Sequence, residues 1–259
     1  MERGFWGWIV FLLQQYGPQY AKGTLVTILL AVVGTLAGLA IGLAVGIVRT
    51  IPLRRGGQTH ETPRSIVLRC VNAVLAVYIE VFRGTPMMVQ AMLIFYGLTE
   101  FAGLSIEKMP AAFLIITLNT GAYMSEIVRG GIQAVDDGQS EAAKSVGMTH
   151  WQAMLSVVLP QAIRNILPAT GNEFVVNLKD SSVLSVIMVG ELFYATSVTR
   201  AVYYRTYEPF FIAAVIYLTL TFVSSRLLRL LENRMDGPKN YTLIASSTTL
   251  SMPMVKRRK

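Results

Sequence analysis

Glu141-Ala142-Ala143-Lys144-Ser145-Val146-Gly147, running on through Trp151 to Leu159-Pro160, is the longest hydrophilic interruption in the middle of an otherwise apolar chain. It reads as two short helices with a joint. Asp136 and Asp137 put negative charge where the first helix begins, and the unpaired N–H groups of a helix start favour anions. Gly147 ends that helix, because a residue without Cβ tolerates a left-handed turn. Thr149 opens the second helix with Gln152 three places on, the spacing of a capping box. Pro160 fits the first turn of the helix that follows. Such an elbow, held at a membrane surface, is a device for docking rather than for catalysis.

The chain around it is built for lipid. Of 259 residues 53% are hydrophobic and only 15% are charged, against about 25% charged in a soluble domain. Long uncharged runs with this deficit indicate a polytopic, all-α membrane protein. The single cysteine, Cys70, excludes an internal disulfide and leaves no Cys-based metal site. The net charge of +8 raises the question of nucleic acid. Its distribution answers it. Arg49, Arg54, Arg55 and Arg64 crowd one loop, and eight Lys and Arg follow from residue 226 on. Basic residues gather in cytoplasmic loops, so the charge records orientation and no nucleic-acid partner is expected.

Working outward, residues 5–13 are apolar but too short to cross, and Trp6 and Trp8 suit an interfacial helix. Residues 1–22 are therefore expected as an external or interfacial segment and 23–235 as the transmembrane domain, with the elbow at about 136–159. The first span covers 24–48, with Gly34, Gly38, Gly42 and Gly46 along one face. This stripe reads as a packing seam rather than a pore lining. Residues 65–101 exceed one straight span and contain Gly84 and Pro86. One helix broken there keeps the elbow cytoplasmic, and a break at membrane depth must be buried or line a cavity. Spans at 110–132, 160–178 and 209–230 complete five, with the N-terminus outside and the C-terminus cytoplasmic. Residues 179–182 are expected to interrupt the fourth span, 183–192 to fold back, and 194–208 to be polar and external. The tail from 236 on is too polar to pack and reads as disordered. Its terminal Lys256-Arg257-Arg258-Lys259 suits contact with anionic membrane lipid, or is a weakly selected end.

No Gly-x-x-x-x-Gly-Lys, His-Glu-x-x-His or Gly-x-Ser-x-Gly occurs, so neither an ATP cradle nor a hydrolase site is indicated. His60 and His150 lie far apart in loops, and no metal site is expected. The polar groups within the spans remain. A charge at the centre of a spanning helix costs about 2.5–3.5 kcal/mol, so such groups have partners or face water. Arg83 lies at the break beside Thr85, Met87, Met88 and Gln90. Asn119 and Tyr123 come from the third span, and Asn172, Glu173 and Asn177 from the fourth. Together they suit a zwitterion. Arg83 and freed N–H groups would hold a carboxylate, Glu173 an amino group or cationic side chain, and the methionines would form adaptable walls. The alternative is that Arg83 and Glu173 pair with other protein groups to fix the helices. Glu80 and Glu126 read as packing or gating groups.

Glu141-Ala142-Ala143 with Gly147 and Leu159-Pro160 resembles the EAA loop of ABC importer permeases. Phe82-Arg83-Gly84-Thr85-Pro86 and Gly171-Asn172-Glu173-Phe174 resemble the polar amino acid subfamily, which serves His, Arg, Lys, Gln, Glu and related substrates. The resemblance implies a type I ABC importer permease fold in the bacterial cytoplasmic membrane. It implies that Glu141, Ala142, Ala143, Gly147, Met148 and Trp151 couple to a cytoplasmic ATPase dimer that binds ATP and Mg, this chain binding no cofactor. It further implies a second permease subunit, identical or not, and an extracytoplasmic amino acid-binding protein. Two other readings stay open: an ion-coupled secondary transporter, and a structural subunit that binds no substrate.

Overall fold

The computed structural model describes residues 4–51 and 63–235; Arg54, Arg55 and His60 of the basic loop, and the tail from 236 on, lie outside them. Every regular element described is helical. Helix α1 spans Phe5–Thr50, α2 Pro63–Gly84, α3 Met87–Ala102 and α4 Lys108–Gln133. The elbow comprises α5 (Asp137–Ser145) and α6 (His150–Ala153). A π turn, Met154–Val158, leads into α7 (Leu159–Asp180), which tightens into a 3-10 segment, Ser181–Ile187; α8 (Leu192–Tyr203) and α9 (Tyr207–Met235) follow. Four helices are long and apolar enough to cross a membrane, and a bent pair running from His150 to Tyr203 makes up to five.

The glycine stripe sets the central packing. A Cβ at Gly34 would sit 2.8 Å from Ile116, at Gly38 2.7 Å from Thr120, at Gly42 2.7 Å from the Met124 carbonyl carbon, and at Gly46 2.6 Å from Val128. Only glycine lets the two backbones approach this closely. The partners advance together along both helices, so α1 and α4 run parallel. The chain therefore returns once between them, through α2 and α3 jointly, across a break at Thr85-Pro86. By contrast, Thr120 meets Asn177 and Met124 meets Thr170, so α7 is antiparallel to α4. Leu30, Ile115 and Ile116 pack with Leu184 and Ile187 of the 3-10 segment at one end of this core; Val128, Met154 and Ile166 pack at the other.

Two expectations give way. The separate interfacial helix at 5–13 is instead the start of α1, which continues through Pro18. Its rings are held by later elements, Phe5 and Trp6 by Phe211 and Trp8 by Tyr203, and that packing outweighs one lost backbone bond. Residues 179–182 end the α-helical part of α7 but do not break the chain's helical course; it narrows there, with the Ser181 hydroxyl donating to the Leu178 carbonyl at 3.1 Å. The sequence leaves the secondary structure of the polar stretch 194–208 open; much of it is helical, because Glu191 caps α8 by accepting from the Phe193 and Tyr194 amides at 2.8 and 2.6 Å. The π turn also has a local cause. Pro160 offers no N–H to Ser156 and crowds its carbonyl, and the Leu159 amide reaches Met154 five residues back.

Candidate functional site

The break between α2 and α3 is built from its proline. Pro86 cannot donate to the Phe82 carbonyl, so a side chain must. Gln90 Nε2 donates to the Phe82 carbonyl and to the carbonyl and hydroxyl oxygens of Thr85, each at 2.9 Å. Asn119 Nδ2 donates to Gln90 Oε1 at 2.9 Å and to the Phe82 carbonyl at 3.3 Å, tying the break to α4. The Thr85 hydroxyl donates back to Val81 at 2.7 Å. A second knot joins α1, α4 and α7: Thr120 donates to Asn177 Oδ1 at 3.0 Å, and Asn177 Nδ2 donates to Thr35 at 2.9 Å.

The remaining polar candidates point elsewhere. Arg83 is exposed and lies over the Tyr123 ring, 5.5 Å from its centroid. Met88 is half exposed, while Met87 packs against the core. Asn172 is exposed and Glu173 half-buried on α7. Glu173 makes no hydrogen bond or ion pair among the described residues, and Asp180, two turns on, adds a second negative charge near it. The ten candidates thus divide. Gln90, Asn119, Thr85 and Asn177 are satisfied within the protein, and Met87 packs against its core. Arg83, Tyr123, Met88 and Asn172 are exposed on this single chain, and Glu173 is half-buried without a partner among the described residues.

The elbow forms as its residues dictate. The Asp136 carboxylate accepts from the Gly138 amide at 2.7 Å. Gly147, with φ of 85°, closes α5 in a Schellman turn, its amide bonding to Lys144 and that of Met148 to Ala143 at 3.0 and 3.1 Å. The Thr149–Gln152 box is made in both directions, at 2.9 and 3.3 Å. Ala143 is buried toward the π turn and Met148 is half-buried, whereas Glu141, Ala142, Gly147 and Trp151 are exposed. About three turns before the elbow, Glu126 accepts from Arg49 at 2.5 Å and from Arg129 at 2.6 Å, locking the end of α1 to α4.

Inspection of sequence alone passes over Glu191, fully buried, which also accepts from Tyr217 at 3.0 Å and so links α8 to α9. Its neighbour's amide donates to Thr27. Thr27 and Thr35, spaced for one helix face in an apolar span, are the signal that marks the Glu191 cap and the Asn177 knot.

Residues 67–237 match the family described as binding-protein-dependent transport system inner membrane component. The glutamine transport system permease protein GlnP of Escherichia coli (strain K12) is 37% identical over 219 residues, 84% of this chain and 93% of that one. The arginine transport system permease protein ArtQ of Bacillus subtilis (strain 168) is 39% identical over 160 residues, 60% of this chain and 73% of that one. A chain in the crystal structure of an amino acid ABC transporter with histidines superposes with a TM-score of 0.76 at 39% identity, covering 90% of this chain and 100% of its own. A chain of the inward-facing MetNI methionine ABC transporter shares the fold, with a TM-score of 0.69 at 19% identity and coverage of 85% and 97%.

Proposed function

The chain belongs to the family of binding-protein-dependent transport system inner membrane components, and from that premise we propose that it is the membrane-spanning subunit of an ATP-driven importer for a polar amino acid. It works in the bacterial cytoplasmic membrane with its N-terminus outside. A second permease subunit completes the pathway, and an extracytoplasmic binding protein delivers the cargo. ATP hydrolysis belongs to a cytoplasmic ATPase dimer. Closure of that dimer moves the elbow, and the spans pass between inward-open and outward-open states.

The elbow carries this reading. Its outer surface offers Glu141, Ala142, Gly147 and Trp151, while Ala143 and Ala153 are buried on its inner side, where the π turn joins it to α7. That is the arrangement a motor needs to push on a membrane domain. Glu173, unpaired and half-buried in α7, is the group of choice for the cargo's ammonium, with Arg83 and Tyr123 at the α2–α3 break as further contacts. The internal bonding of Gln90, Asn119 and Asn177 supports a second reading, in which this copy shapes the pathway and its partner holds the cargo.

The test is uptake by proteoliposomes holding the assembled complex. Import that requires ATP and the binding protein is expected; uptake that persists without the ATPase would identify a secondary transporter instead. Glu173→Gln is expected to leave assembly intact and to reduce cargo-stimulated ATP hydrolysis at least tenfold, because one lost charge-assisted bond is worth about 1.5–3 kcal/mol. Unchanged stimulation would favour the second reading.

A further inference from the structure

A cavity of about 410 Å3 separates the elbow from the ends of α1 and α4, a size in the small-molecule range. Arg49 and Arg129 line one side of it, Asp136, Asp137 and Lys144 the other, and His150 joins them. Several of these groups are already engaged. The two arginines are anchored on Glu126, and Asp136 caps the start of α5. Three are not. The Lys144 ammonium and the Asp137 carboxylate have no hydrogen bond or ion pair among the described residues. His150 Nε2 is buried without a hydrogen-bond partner, and buried polar atoms are ordinarily paired. The two unengaged charges are of opposite sign, Lys144 positive and Asp137 negative. A plain anion or a plain cation would leave one of them unmatched.

We infer that this cavity is a binding site for a compact zwitterion, its anionic oxygens on Lys144, its ammonium on Asp137, and a hydrogen bond to His150. Two sources share that chemistry, a free amino acid and the phosphoethanolamine headgroup of a membrane lipid. Either would brace the elbow against the spans and act as a brake on the movement proposed above, so the inference rests on the elbow being the motor's contact.

The experiment measures basal ATP hydrolysis by the assembled complex in phosphatidylcholine nanodiscs without binding protein. In one arm L-glutamine or L-arginine is added. In the other, phosphatidylethanolamine replaces phosphatidylcholine, whose quaternary ammonium cannot donate to Asp137. One arm is expected to lower hydrolysis severalfold, and the responding arm names the source. Asp137→Asn and Lys144→Gln, both at exposed positions, are expected to abolish the response. No response in either arm, or a response that survives both variants as one acting through the mid-membrane groups would, overturns the site. A complex that fails to assemble or hydrolyse ATP counts against the importer reading instead.

Discussion

Gln90 directs both ends of its amide at the protein, its nitrogen at the carbonyls freed by Pro86 and its oxygen at Asn119. Gln90→Leu is therefore expected to leave the Phe82 carbonyl only the longer bond from Asn119, to remove the Gln90–Asn119 bond, and to cost about 1–3 kcal/mol. Thermal unfolding of the purified complex should show a lower Tm for this variant, whereas Met88→Ala, at a half-exposed side chain, should change it little. That these polar residues matter is legible in the sequence, since a span admits few of them without reason. Which way they point is not. Gln90 and Arg83 both flank the same proline, yet one turns inward to mend the backbone and the other lies over a ring on α4. Only the tertiary arrangement decides between them, because the choice depends on Asn119 and Tyr123 arriving from a different helix. Glu191 is illegible for a related reason. A lone glutamate between apolar segments looks like a solvated loop, and its three donors come from two elements.

At the scale of elements, local chemistry proved a dependable guide where the deciding groups are close in sequence. The elbow needs Asp136, Gly147, Thr149 and Gln152, all within one short stretch, and it forms as their chemistry requires. Gly147→Val forces a branched side chain to a φ of 85°, at a cost of about 1–2 kcal/mol for the left-handed conformation. The variant should still insert but transport less per ATP hydrolysed, as parallel uptake and phosphate-release assays will show. The glycine seam is read equally well from spacing alone. Gly42→Leu is expected to push α1 off the α4 backbone and abolish assembly, whereas Gly130→Ala, where a Cβ meets nothing within 4 Å, should be harmless; size-exclusion chromatography of the complex separates the two outcomes. Helix α8 escapes such reading because its cap is a buried glutamate rather than the usual serine, threonine, aspartate or asparagine. The full length of α1 escapes it because aromatic rings on α8 and α9, nearly 200 residues away in sequence, hold its first turns.

For the whole molecule, helix direction carries the most information. Parallel α1 and α4 with antiparallel α7 place the elbow and Tyr204 on opposite faces. Tyr204, at 94% exposed, and Gly147 are thus matched reporters. After Cys70→Ser, a cysteine at 147 should react with an impermeant thiol reagent only in inverted vesicles, and one at 204 only in intact spheroplasts. Labelling of 147 from outside would falsify the proposed orientation. Little of α2 or α9 is buried within the chain, Arg83 is left exposed and Glu173 has no partner among the described residues, so a lone copy is an incomplete object in lipid. The seam has a mechanical corollary. Two backbones in contact along four successive turns cannot slide or splay without collision, so α1 and α4 must travel as a single stiff beam. Compliance is left to the places where the helical ladder is already interrupted, the proline notch after α2 and the widened turn ahead of α7, which lie on either side of α4 in the chain and act as the beam's two pivots.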